Sequence, residues 1–244
     1  MLKFSDGRNF GRTLVGLCLI VAPALFLIAS VVGPDADDEN KTKELAQVAA
    51  HKSAYIISGI IFLVGSLLLL GACVGIIHVF RGRRVGLGQV AGGLLLVGSA
   101  VTFAFYGFTS IEYEMVNQSG LDRAQMAKLL DKTNDAASGA PLFLMFIVGV
   151  VLGLILLGVA AWRRRIVPRW AAVVIAISGP VTFFSEGKTV EIIAFAILLV
   201  GFVPLGLALL RMSDEEWDAP RDAVHKPPME SDPVPAAPAP ATAA

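Results

Sequence analysis

Apolar and polar positions alternate along this chain in long blocks, not residue by residue. Six apolar blocks stand at about 13–32, 54–80, 85–109, 141–162, 168–184 and 190–210. The least interrupted runs from Ala54 to Phe80, mostly Ile, Leu, Val, Gly, Ala and Ser, and stops at Arg81-Gly82-Arg83-Arg84. A run of about 18 or more apolar residues is long enough to cross the hydrocarbon of a bilayer as a helix. The pattern predicts an all-α polytopic membrane protein, a bundle of six transmembrane helices.

Polar segments lie between the blocks: a leader at 1–12, loops at 33–53 and 110–140, and a tail at 212–244. The first block is longer than the ~7–15 apolar residues of a signal peptide and no A-x-A site follows, so a retained helix is expected, kinked at Pro23. Asp35, Asp37, Asp38 and Glu39 form an acidic turn without the Gly and closing Glu of a calcium loop, and Asp37 or Asp38 is a candidate N-cap. Lys41 to Lys52 has helix-forming composition that can run straight into the second span. Leu121 to Lys132, with Leu121, Met126, Leu129 and Leu130 apolar, predicts a short amphipathic helix on the outer surface. The end of the tail, PVPAAPAPATAA, cannot bury a core and is expected to be disordered.

Charge fixes a direction. With the N-terminus inside, the inner segments carry 13 of the 20 Lys and Arg and the outer ones 7. Basic residues collect in the short turns 81–84 and 163–169, as the positive-inside rule requires of cytoplasmic turns. Both termini are then cytoplasmic, and the plasma membrane is the expected location. Arg81, Arg83, Arg84, Arg163, Arg164 and Arg165 are candidate contacts for anionic lipid head groups, the plainer reading being topology anchoring. Only 16% of residues are charged and mean hydropathy is +0.71. The balanced net charge gives no footprint for nucleic acid.

Catalytic chemistry finds little support. No Asp, Glu, Lys or Arg sits mid-span, which argues against buried-carboxylate ion coupling or an intramembrane acid pair. His51 and His78 are separated by 27 residues, about 40 Å along a helix, and cannot share a haem or metal. Cys18 and Cys73 read as small core residues. There is no G-x-S-x-G, H-E-x-x-H or P-loop. The expectation is a protein that is not an enzyme and carries no cofactor or metal.

One polar stripe remains. Gly92, Ser99 and Tyr106 recur every seven residues on the third span, with Thr102 close by, and lead outward to Glu112 and Glu114. Thr182 and Ser185 on the fifth span, with Glu186 and Glu191 beside them, end at similar depth. These residues either line an outward-facing cavity between the third and fifth spans or pack helix against helix with hydroxyls bonded to their own backbone. Small-xxx-small pairs at Gly71/Gly75, Gly88/Gly92 and Gly149/Gly153 mark close helix approach. Gly98-Ser99-Ala100-Val101-Thr102-Phe103 is echoed by Gly179-Pro180-Val181-Thr182-Phe183, either a weak parallel repeat or chance.

The AAHKSAYIISGIIFLVGSLLLL entry to the second span, the RGRR turn with its Gly-rich third span, and the AAWRRRIVPRWAAVV turn resemble a group of bacterial six-helix integral membrane proteins classed among domains of unknown function. The resemblance covers about residues 10 to 211. It implies a plasma-membrane helical bundle and brings no activity, cofactor or catalytic residue. Two functions are expected of such a chain: an accessory or sensor protein that binds a partner or ligand through its outer loops, or a small-molecule permease.

Overall fold

The computed structural model describes residues 7–35, 41–81, 86–118, 120, 122–134, 140–184 and 187–218. Every element among them is helical. They are α1 (Gly7–Val32), α2 (Lys41–Ala50), α3 (Lys52–Val79), α4 (Leu87–Asn117), α5 (Arg123–Asn134), α6 (Ala140–Phe146), a π-helical segment (Ile147–Leu152), α7 (Gly153–Arg164), α8 (Arg169–Phe183), α9 (Lys188–Arg211) and α10 (Asp214–Asp218). The candidate N-caps Asp37 and Asp38, the turn residues Arg83 and Arg84, Ser185, Glu186 and the tail from 219 lie outside the described residues.

Among the described residues, five helical stretches are long and apolar enough to cross a membrane: Asn9–Val32, Lys52–Val79, Leu87–Asn117, Ala140–Arg164 and Lys188–Arg211. The chain is a multi-pass helical membrane protein. The sixth apolar block forms a shorter helix than expected. α8 has 15 residues, about 22 Å at 1.5 Å per residue, against a hydrocarbon thickness of ~30 Å. It nevertheless runs between the two ends of the fourth stretch: Arg169 sits 5.8 Å over the Trp162 ring, and Phe183 lies 6.0 Å from Phe143.

The five long stretches and α8 form a closed ring in chain order, α1–α3–α4–α7–α8–α9, with α9 returning to α1. Lipid tails are as apolar as leucine, so close backbone approach, not burial of apolar area, must hold such a ring together. The contacts show this. Gly206 of α9 meets Gly16 and Ile20 of α1, Gly98 of α4 meets Gly149 of the π segment, and Gly158 of α7 meets Ala172 and Ala176 of α8. Of the sequence pairs, Gly88 packs on Phe80, Gly92 on Ile77, Gly75 on Val15, and Gly149 and Gly153 on α4. A Cβ added at Gly71 would meet nothing within 4 Å, so no close helix approach requires a glycine there.

Boundaries differ from the hydropathy pattern in three places. α1 begins at Gly7, inside the expected leader, and continues through a fully buried Pro23. α4 continues past Thr109 to Asn117 and so carries Glu112 and Glu114 on a helix, not a loop. The tail does not leave the bundle at Met212. Ser213 and Glu216 form a reciprocal capping box, Ser213 N to Glu216 Oε2 at 2.9 Å and Glu216 N to Ser213 Oγ at 3.2 Å, which starts α10. Trp217 of α10 is buried and stacks on His78, ring centroids 4.7 Å apart, while Arg81 Nη2 donates to the Trp217 carbonyl at 3.3 Å. Arg12 Nη1 donates to the Met212 carbonyl. The first turn of α1 and the last turn of α9 therefore share the end of the bundle that carries Arg81 and Arg163–Arg165, here the arginine end.

The opposite end carries a cap. α2, α5 and the extension of α4 bury Leu45, Val48, Val116, Met126, Ala127 and Leu130 in a small core of their own, with Tyr55 and Met115 against it. The amphipathic helix expected on the membrane surface thus spends its apolar face on protein, because α2 and α4 offer it a matching stripe; Leu129 alone of its leucines is turned out, 55% exposed. α2 is almost continuous with α3. The break is one residue, His51 (φ −127°, ψ 40°), whose amide still donates to Gln47 O at 3.0 Å. Glu44 is buried in the cap and paired with Lys41 at 2.5 Å.

Candidate functional site

Beneath the cap, α1, α3, α4 and α9 diverge around a cavity of about 240 Å³. α3 supplies Tyr55, Ser58, Gly59 and Phe62, which fall on one face because they are spaced three and four residues apart. α4 supplies Phe105, Tyr106 and Thr109, α1 supplies Ala29, Ser30 and Gly33, and Glu191 projects from the first turn of α9. The floor is aromatic. Phe62 packs on Phe26 and Phe195, with ring centroids 4.8 and 6.3 Å away, and Phe26 lies 5.6 Å from Phe195. At the mouth, the Tyr55 hydroxyl donates to the Glu112 carboxylate, and Lys188 Nζ donates to Gly33 O at 2.5 Å.

This placement corrects the expected position of the cavity, between the third and fifth spans. The fourth stretch stands between those helices. Gly98 of α4 packs on Gly149 and Val150, and Gly179 of α8 packs on Val151 and Leu154. The glycines of the two echoed motifs thus grip opposite sides of one segment, which separates the two helices among the described residues. Thr182 lies on α8, away from the lining, and Glu114 is exposed.

The seven-residue stripe does occupy a single face, but that face packs along α3. Gly92 meets Ile77, Ser99 Oγ lies 3.7 Å from Cys73 Sγ, and Tyr106 meets Gly59. Ser99 is 1% exposed, and Thr102 Oγ1 donates to Gly98 O at 2.9 Å, a hydroxyl bonded to its own helix. Only Tyr106, nearest the cap, reaches open space. Tyr55, Ser58 and Phe62 were not singled out by the sequence pattern. Their signal was the i, i+3, i+7 recurrence of larger or polar side chains at the start of a span otherwise filled by Ile, Leu and Gly.

A second cavity of about 220 Å³ lies at the arginine end, lined by Phe80, Gly86, Leu87, Gly88, Ala160, Arg163 and Arg164. Arg165 ends α7 in the left-handed region (φ 53°) and is exposed. Among the described residues no group of three or more His, Cys, Asp or Glu side chains converges as a metal site.

Comparison with the curated proteins finds no match, and comparison with the solved structures finds none either. A family does match, over residues 14–213, from the second turn of α1 to Ser213 just after α9. The matched segment contains all of the ring but the first residues of α1, together with the cap and both cavities, and the chain belongs to the family described as a domain of unknown function, DUF4386.

Proposed function

We propose that this is a non-enzymatic sensor or accessory protein that binds a small molecule in the cavity beneath the cap. The carrying observation is a cavity at the cap end of the bundle whose wall includes Phe62, itself packed on Phe26 and Phe195. An apolar, aromatic wall of this kind suits binding of a small molecule. α8 serves as a sixth, short crossing, since it connects the level of Trp162 to that of Phe143. The arginine end then faces the cytoplasm and the cap faces outward, in the plasma membrane. Thermal unfolding of the purified protein against a panel of small metabolites tests the reading. A ligand at 100 times its dissociation constant is expected to add about 2.7 kcal/mol, and Ser58→Phe, which fills the cavity, is expected to abolish the shift. If no ligand shifts the wild type, the cap surface and a protein partner become the better explanation.

A permease is the second reading, favoured by the origin of the lining in four different membrane helices, which can rock apart. It requires flux in proteoliposomes that falls in Tyr106→Ala.

The arginine-end cavity supports a separate role in lipid contact. Two guanidinium groups beside the apolar walls of Phe80 and Leu87 suit a phosphate head group with its chain in the bilayer. Replacing both Arg163 and Arg164 by Gln is expected to lower co-purifying anionic phospholipid at least twofold and leave phosphatidylcholine unchanged. Equal retention of anionic lipid by the variant would remove the site.

A further inference from the structure

α8 turns one apolar stripe outward. Trp170, Val173, Ile177 and Phe184 are exposed, and their spacings of three, four and seven residues place them on a single face. The stripe has firm ends. Arg165 leaves α7 in the left-handed region and Arg169 opens α8, while Phe184 closes it and Lys188 already begins α9. Fourteen residues separate Trp170 from Phe184, about 21 Å along a helix. That is about 9 Å less than the ~30 Å of hydrocarbon in a typical bilayer. On α1, two places round the ring, exposed apolar residues run from Phe10 to Val31, about 32 Å. Flanking side chains that reach outward to the head groups can relieve a short crossing. Here the flanking cations are turned back. Arg169 lies over the Trp162 ring, 5.8 Å from its centre, and Lys188 Nζ donates to Gly33 O at 2.5 Å. Tilting α8 would only reduce the height it spans.

We infer that the α8 face is a contact surface for thin bilayer, and that lipid with short acyl chains is the partner that fits it. The inference rests on the crossing by α8 read above and adds what surrounds it. The hydrocarbon beside α8 is drawn down to about 20 Å. Arg163, Arg164, Arg165 and Arg169 are all exposed at one end of the helix and suit phosphate groups held at the lowered level. A membrane that thickens raises the cost of this thinned patch, so the stability of the fold itself responds to membrane thickness. The five longer stretches do not impose this, since each has 24 residues or more.

The full chain in vesicles of phosphatidylcholine with two monounsaturated chains of 14, 18 or 22 carbons tests this. Wild type is expected to be most stable in the 14-carbon lipid, with Tm about 5 °C above that in the 22-carbon lipid. A maximum at 18 or 22 carbons overturns the inference. Single cysteines at the ends of the stripe report locally, because Cys18 and Cys73 are buried. In sealed vesicles, Trp170→Cys and Phe184→Cys are expected to react with a membrane-impermeant maleimide from opposite sides. The rate at Phe184→Cys is expected to stay within twofold across the three lipids, since the bilayer surface is pinned to the end of α8. A fall of tenfold or more in the 22-carbon lipid means that undeformed bilayer covers that end, which overturns the thinning and leaves the crossing. Reaction of both cysteines from one side overturns the crossing and the inference with it. A dimer that forms in the 22-carbon lipid and shields Phe184→Cys assigns the stripe to a second copy of the chain and overturns the lipid assignment.

Discussion

Replacing Gly149 with alanine is expected to destabilise the bundle by about 2–3 kcal/mol, although alanine is the better helix former by about 1 kcal/mol. The Cβ at 149 would sit 2.5 Å from the Gly98 amide nitrogen, 2.6 Å from its Cα and 2.8 Å from the Leu94 carbonyl oxygen. Carbon contacts settle near 3.5–4.0 Å. All three neighbours are backbone, so no rotamer change can relieve the overlap. α4 and the π segment must move apart, and in lipid no hydrophobic term restores what the contact loses. Gly71→Ala is the control with the opposite sign. Nothing lies within 4 Å of a Cβ there, so the substitution is expected to stabilise by about 0.5–1 kcal/mol. Gly98→Ala meets the same obstacle from the other side, with Val150 N at 2.7 Å and the Gly149 carbonyl carbon at 2.8 Å. Once one methyl has separated the helices the second adds little, so the double variant is expected to cost less than the sum of the two. Denaturant titration in mixed micelles measures all four. A Gly149→Ala protein as stable as Gly71→Ala would refute the contact.

The difference between Gly71 and Gly149 also marks what could be read without coordinates. Uninterrupted apolar runs closed by arginines locate the membrane helices, because length and hydropathy are properties of the chain itself. Spacing also shows that Gly92, Ser99 and Tyr106 share a face. It does not show which helix covers that face, so a cavity with the fifth span and helix packing both stayed open, and most of the stripe packs against Ile77, Cys73 and Gly59 of α3. Small-residue pairs suffer from the same ambiguity, since Gly71 and Gly75 are identical in sequence terms and only Gly75 meets a neighbour, Val15. The end of α4 was missed for a different reason. Hydropathy falls at Ser110 while the backbone helix goes on to Asn117, since leaving the bilayer does not end a helix whose apolar residues, such as Val116, find a new core. The Ser213–Glu216 capping box was legible as S-x-x-E and was passed over because the composition beyond it is that of a disordered tail.

That new core yields the second large effect. Leu45→Asp is expected to raise the rate of tryptic cleavage at Arg123, Lys128 and Lys132 of α5 at least tenfold, with the bundle still folded. Leu45 is fully buried at the centre of the cap, against Val48, Val116, Met126 and Leu130. Lys43 and Gln47 of α2 and Arg123, Gln125, Lys128 and Lys132 of α5 are exposed, so the outer face of the cap is polar and solvated by water. There the hydrophobic effect acts at full strength, unlike within the bilayer, and loss of a buried leucine costs about 2–5 kcal/mol. A buried unpaired carboxylate would cost more still, so the cap opens instead of accommodating it. When opening is faster than cleavage, proteolysis follows the open population, and each 1.4 kcal/mol is a factor of ten. Leu129→Asp places the same charge on the same helix set at a position already 55% exposed and is expected to leave the rate within twofold. Undocking also frees the end of α4 that holds Glu112 against the Tyr55 hydroxyl. Leu45→Asp should therefore weaken binding in the cavity without touching its lining. Rapid cleavage combined with unchanged ligand affinity would separate the cap from the site and make it a docking surface in its own right.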